Sequence, residues 1–264
     1  MTDSIVVCHS ALTDLLGSQL EPLAVVQQVE QHRRYWRPVK PRLVLLAESH
    51  VHTTETELGS RVRVGEWAPK DLPSGFVRFV YCLGYGENEL LIEHIKSNPG
   101  TWQFWKIFYS CINPVTSNAS FAPVLKATTK LLKDRIGYKL KVLRQMKDQG
   151  IWLVDASISA LYHPGRQKPA VDYKQVLQTS WKEHVRSTIE ESRPEGILCI
   201  GCGVARTLKD RLDELQIPWG VVPQPGARLP SEEHLRVFKK YRDVAKDPSH
   251  VRSLCKDWCS NLFS

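Results

Sequence analysis

The 264-residue chain has no run of eighteen apolar residues, so it offers no candidate for a membrane-spanning helix. Its first residues lack the basic start and apolar stretch of a secretory leader. These absences predict a protein of the cell interior, in bacterial cytosol or in a nucleus, with no membrane partner. No internal repeat and no low-complexity tract is found, which sets aside repeat arrays and extended linkers. Seven cysteines, an odd number scattered along the chain, fit free thiols in a reducing compartment better than a disulfide framework. Two pairs have metal-like spacing, Cys199 with Cys202 and Cys255 with Cys259. Cys199 stands inside an apolar run, where a thiol packs as a small hydrophobe, and no metal is expected.

Acidic residues are the scarcer charge, 28 against 36 lysines and arginines, for a net charge of +8. That surplus favours a polyanionic partner, nucleic acid before anionic membrane. It is concentrated in two segments. One is HRRYWRPVKPR at 32–42, and the other carries Lys133, Arg135, Lys139, Lys141, Arg144 and Lys147. Either could equally be a solvated helix face.

Four short runs rich in Val, Ile and Leu read as buried strands: 42–48, 150–157, 196–201 and 219–223. Continuous apolar runs of this kind belong to parallel strands covered on both faces. VRFVYCL at 77–83 reads as a further strand or an extended connection. Helical patterning fills 11–36, 120–149, 173–191, 205–215 and 231–241, the last with Ser231 and Glu233 as a cap region. Alternating strands and helices predict one α/β domain over 1–264, a three-layer α/β/α arrangement around a mostly parallel four-stranded sheet. Residues 1–40 would form a helical N-terminal extension packed on it.

In such sheets the working residues stand just beyond the carboxyl ends of the strands. Those ends read Glu48-Ser49-His50, Asp155-Ala156-Ser157, Gly201-Cys202-Gly203 and Pro223-Gln224-Pro225-Gly226. The Gly-Cys-Gly turn looks at first like a cofactor loop. A dinucleotide or S-adenosylmethionine loop, however, follows the first strand, with an acid ending the next strand about 20 residues on. Here the turn follows the third strand, and the next ends in Pro-Gln-Pro. The glycines are better read as steric relief at a tight strand-to-helix turn, and no cofactor is expected.

The order of these strand ends resembles the uracil-DNA glycosylase superfamily, over roughly residues 42–235. The first strand of that family ends in Gly-Gln-Asp-Pro-Tyr or Gly-Glu-Ala-Pro-Gly. LVLLAESHV puts Ala47 at the glycine and Glu48 at the Gln/Glu position, with Ser49 and His50 next. The family's Leu-Leu-Leu-Asn strand is matched by WLVDAS, with Asp155 in the place of Asn. Its His-Pro-Ser-Pro-Leu motif is matched by Gln224, Pro225, Gly226, Ala227 and Arg228. One branch holds an iron–sulfur cluster on cysteines paired near the N-terminus; only Cys8 lies there, so no cluster is expected.

The resemblance implies hydrolysis of the N-glycosidic bond of uracil in DNA by a monomer. An abasic site would remain, since no lysine stands at a strand end to form a Schiff base. Such an enzyme flips the base, holds it, and stabilises charge on the leaving ring. Asp155 would read the base edge. An ionised Asp only accepts, so a protonated Asp155 would be needed to serve both N3–H and O4; its alternative is a turn cap. Gln224 would replace the histidine that donates to O2, or be a turn residue between prolines. Glu48 would position the attacking water, with His50 and His52 as rivals and Ser49 where another branch has its water-binding acid. Phe79 or Tyr81 would be the platform under the base, unless they pack in the core. Arg228 would fill the gap left by the base, with His163, Arg166 and Lys168 on the phosphates. A DNA-gripping relic without activity, or a glycosylase for hypoxanthine or xanthine, are the other readings.

Overall fold

The computed structural model describes residues 3–65, 68–162 and 173–258. Four strands, β1 (Leu43–Ala47), β2 (Ile151–Asp155), β3 (Gly196–Ile200) and β4 (Trp219–Val222), form one sheet in the order β2-β1-β3-β4. All three pairings are parallel, so the sheet is fully rather than mostly parallel. Leu43 sits opposite both Ile151 and Gly196, which sets the register of the central strand. Every residue of β1, β2 and β3 is buried. This is what an apolar run without alternation requires, because helices cover both faces and no side chain has a wet side. Leu43, Val44, Leu45 and Leu46 are wholly sequestered, each worth roughly 1.5–3 kcal/mol of apolar transfer.

The helices are α1 (Ser4–Leu16), α2 (Leu23–Tyr35), α3 (Glu55–Leu58), α4 (Trp102–Ile112) and α5 (Leu132–Asp148) in the first half. The second half has α6 (Tyr173–Ser180), α7 (Arg186–Ser192), α8 (Cys202–Glu214), α9 (Ser231–Lys246) and α10 (Val251–Trp258). A π turn at Trp181–Val185 joins α6 to α7 into one helical rod. The result is a three-layer α/β/α architecture. The stretch 120–149, expected to hold one or two helices, has a 3-10 segment, Asn118–Val124, with Pro123 inside it, and then α5, which starts at Leu132. Pro230, not Ser231, is the N-cap of α9, and no side chain caps it. The N-terminal extension is tied to the domain by α2. Trp152 Nε1–H of β2 donates to Arg33 O at 3.1 Å, and His32 Nε2–H donates to Gly75 O at 2.8 Å.

Residues 77–83 are not a strand. They run through turns, pinned by Arg78, whose guanidinium meets Glu57 and donates to Ser97 O at 3.0 Å. Tyr81 turns inward, and its hydroxyl accepts the Leu153 N–H on edge strand β2 at 2.9 Å. This segment walls off the carboxyl ends of β1 and β2.

Candidate functional site

In this strand order the chain reverses direction across β1 and β3, and ligands of such sheets bind beyond the strand ends at that point. Two adjoining features lie at these strand ends, one at that point beside β3 and one on the other side of β1. The first is a cavity of about 70 Å³ between the ends of β1 and β2, room for roughly two waters. Ser49, His50, Phe79, Arg78, Thr101 and Asp155 are among its walls. Four of these, Ser49, His50, Phe79 and Asp155, are residues the sequence singled out.

His50 and Asp155 are held by a buried chain of alternating charge. His50 Nε2–H donates to Glu21 Oε2 at 2.8 Å, with both side chains completely buried. Glu21 also accepts the backbone N–H of Thr53 and of Ala160, each at 2.8 Å. His50 Nδ1 lies 3.8 Å from Asp155 Oδ2 and has no hydrogen-bond partner among the described residues. Asp155 Oδ2 accepts from Arg33 Nη2 at 2.8 Å, and Arg33 Nη1 donates to Glu30 Oε2 at 2.5 Å. Burial by itself would depress the imidazolium of His50; Glu21 and Asp155 outweigh it and hold its pKa up to about 9. His50 is therefore charged at neutral pH, with Nδ1–H as a donor at the cavity wall. Asp155 Oδ2, the oxygen nearest His50, is thus already engaged by the Arg33 guanidinium. Asp155 Oδ2 and His50 Nδ1 stand side by side on the cavity wall.

Phe79 packs edge-on to His50, with ring centroids 6.3 Å apart, and the Arg33 guanidinium lies over its ring at 5.1 Å. Tyr81 does not reach the cavity. It stacks on Phe108 at 5.5 Å and is core, the packing alternative for that residue. Ala47 is buried in the ladder, its carbonyl accepting Ala156 N–H at 2.7 Å. Ser49 Oγ accepts Leu161 N–H at 3.3 Å. His52, half-buried on the same loop, is not a wall residue.

The second feature surrounds Glu48, next to β3. Burial pushes its carboxyl pKa up, and Tyr173, Tyr162 and Gln224 draw it only part of the way back. Of these three neighbours Tyr173 lowers it most. The Gly-Cys-Gly turn makes this grouping possible. Gly201 has φ +110°, and a Cβ there would stand 2.7 Å from the Gln224 side chain; at Gly203 it would stand 3.0 Å from the Tyr173 hydroxyl. The glycines give steric relief to the side chains around Glu48. Gln224 is thus exposed and beside Glu48, not over the cavity where an O2 donor would stand.

Gly226, Ala227 and Arg228 follow in a surface loop, where Ala227 N–H turns back to Gln224 O at 2.9 Å and Arg228 is exposed. The loop borders a hollow of about 170 Å³ shared with Trp102, Gln103 and Lys106 of α4. His163, Arg166 and Lys168 lie outside the described residues. The two basic segments are only partly available to a partner. Arg33, Arg135 and Lys139 are buried in ion pairs, and Arg42 is paired with Glu195 at 3.0 Å.

The sequence reading missed Glu21, Arg33, Arg78, Thr101 and Phe104. Arg33 was visible only as part of a basic run, and Glu21 lay inside 11–36, read as helical, whereas the structure leaves it in the break before α2. Compared with protein-family models, curated proteins and solved structures, the chain matches none.

Proposed function

We propose that the protein is a DNA glycosylase that takes a uracil-type base into the cavity at the ends of β1 and β2. The observation that carries this reading is the pairing of a hydrogen-bond acceptor, Asp155, with a charged donor, His50, 3.8 Å apart on one wall. A uracil edge presents an N–H beside a carbonyl, and this pair answers both. Phe79 supplies the apolar surface against the ring. As the bond between the base and C1′ breaks, its electron pair moves onto the ring, and the His50 imidazolium is the donor toward the oxygen where charge collects. This role passes to His50 from Gln224. Glu48, kept proton-hungry by burial, takes a proton from the water that adds to C1′. Exposed Arg228 and the half-exposed Trp102, at 53%, face the strand from the rim. The +8 charge favours the polyanion, and no helix among the described residues is long and apolar enough to cross a membrane.

The test is base release from single- and double-stranded oligonucleotides carrying uracil, hypoxanthine, xanthine or thymine. The reading expects uracil release that Asp155→Ala abolishes and His50→Gln slows about 100-fold. Release of a purine alone would reassign the substrate to another deaminated base. One observation favours a second reading, a DNA-gripping protein without activity: Asp155 is already engaged by Arg33. DNA binding with no base released would establish it.

A further inference from the structure

Beside the cavity, and sharing Thr101 with it, is a smaller hollow of about 60 Å³ bordered by Glu87, Gly100, Thr101, Trp105, Lys126 and Lys139. Its charge does not balance. Glu87 is buried, and the Arg135 guanidinium takes both its oxygens, at 2.7 and 2.6 Å. Lys139, also buried, reaches Glu87 Oε1 at 2.8 Å and lies over the Trp105 ring at 4.7 Å. One buried carboxylate therefore faces two buried cations. Lys126 stands 4.0 Å from the same carboxylate and pairs with exposed Glu89 at 3.1 Å. An ammonium has three protons to donate, and burying a surplus cation is costly unless an anion answers it. Burial, more than the neighbouring cations, presses the Lys139 pKa downward; Glu87 only partly restores it.

Two further features point the same way. Thr101 is the N-cap of α4, yet its side chain caps nothing, and its buried Oγ1 has no partner among the described residues. The first turn of α4 holds no acidic residue, so the positive end of the helix dipole is uncompensated. Gly86 and Gly100, which also border the hollow, meet backbone to backbone. A Cβ on Gly100 would stand 2.8 Å from Gly86 Cα, so the two backbones pack too closely for a side chain between them.

We propose that this hollow binds a phosphate group. Its volume of about 60 Å³ is room for about two waters, enough for one small tetrahedral oxyanion. Lys139, Lys126, Thr101 and the start of α4 offer donors from several directions, which suits a phosphate better than a planar carboxylate. Because Thr101 borders both spaces, the phosphate belongs to the ligand whose base enters the cavity; this second half rests on the nucleobase reading.

Calorimetric titration with inorganic phosphate, 2′-deoxyuridine and 2′-deoxyuridine 5′-monophosphate, at constant ionic strength, tests both halves. Wild type should bind phosphate, and Lys139→Met should weaken it about tenfold to a hundredfold. Lys126→Ala, at a 55% exposed side chain that the fold does not need, should weaken it by less. The monophosphate should bind more tightly than phosphate or nucleoside alone. Phosphate bound equally by wild type and both variants, or not bound by wild type, would overturn the site. Phosphate binding lost in the variants, with no gain for the monophosphate, would keep the anion site and sever it from the nucleobase reading. Nucleoside binding without phosphate binding would do the reverse.

Discussion

Histidine 50 makes stability depend on pH in a direction that can be worked out from its surroundings. Its folded pKa is about 9, against about 6.5 in an unfolded chain. The folded state thus holds the proton more tightly. The associated stability is complete below pH 6.5 and is lost as pH rises toward 9. At about 1.4 kcal/mol per pH unit, the loss comes to about 3 kcal/mol. Two sets of buried groups act outside this window. Buried His32 has its pKa lowered to about 4 by desolvation, so its effect falls on the acid side, where stability drops as pH decreases from 6.5 toward 4. Buried Cys82 and Cys111 are pushed up to about 11 and about 12, which matters only above the ordinary thiol range. The assay is urea unfolding of wild type and His50→Gln at pH 6, 7.5 and 9. For a slope of about 3 kcal/mol per molar urea, the wild-type midpoint should fall by about 1 M relative to the variant across that range. Midpoints that fall in parallel, or a wild type that gains on the variant, would refute the charged His50 and with it the donor assigned to leaving-group stabilisation.

Three other outcomes follow from the same geometry. Every group facing Glu21 is a donor, so Glu21→Gln must turn its amide toward an N–H or toward His50; it should cost about 3–5 kcal/mol in denaturant unfolding, and a loss near zero would show that the buried chain is not structural. Gly201→Ala, at φ +110°, should cost about 1–3 kcal/mol, whereas Gly203→Ala, with no positive φ, should cost less; equal costs, read from urea midpoints, would count against backbone strain as the reason for the turn. Glu48, whose carboxyl is raised by burial, should make base release increase as pH climbs past the ordinary carboxylate range, while Glu48→Gln should be slow and flat in the same profile; an unchanged profile would move water activation elsewhere.

The long apolar runs were legible because parallel strands are dictated locally: a segment with no polar face has nowhere to go but between two helical layers. The glycine turn was legible for a similar reason, its conformation being a property of the turn itself. Other segments misled because local pattern underdetermined them. VRFVYCL has the composition of a strand, but Arg78 is held by Glu57 and the Tyr81 hydroxyl occupies a backbone N–H at the sheet edge, so it lies across the strand ends instead. WQFWKIFYSCI, helix α4, was not read at all, although its buried side chains gather on one face; its aromatic and β-branched content is that of a strand.

Charge was the least transparent signal. A basic residue in sequence looks the same whether it meets water, a phosphate or a buried carboxylate. Arg33 finds Asp155 across 122 positions, Arg135 finds Glu87 across 48, and His50 finds Glu21 across 29. The sheet, its strand ends and, with them, the wall residues Ser49, His50 and Asp155 could be read from the chain, since these follow from short-range burial and strand order; Phe79 was only one of two candidates. Only the tertiary structure decided which cations are buried, that His50 carries a proton between two carboxylates, and that Gln224 attends Glu48 rather than the cavity, because those facts depend on contacts between residues that are distant along the chain.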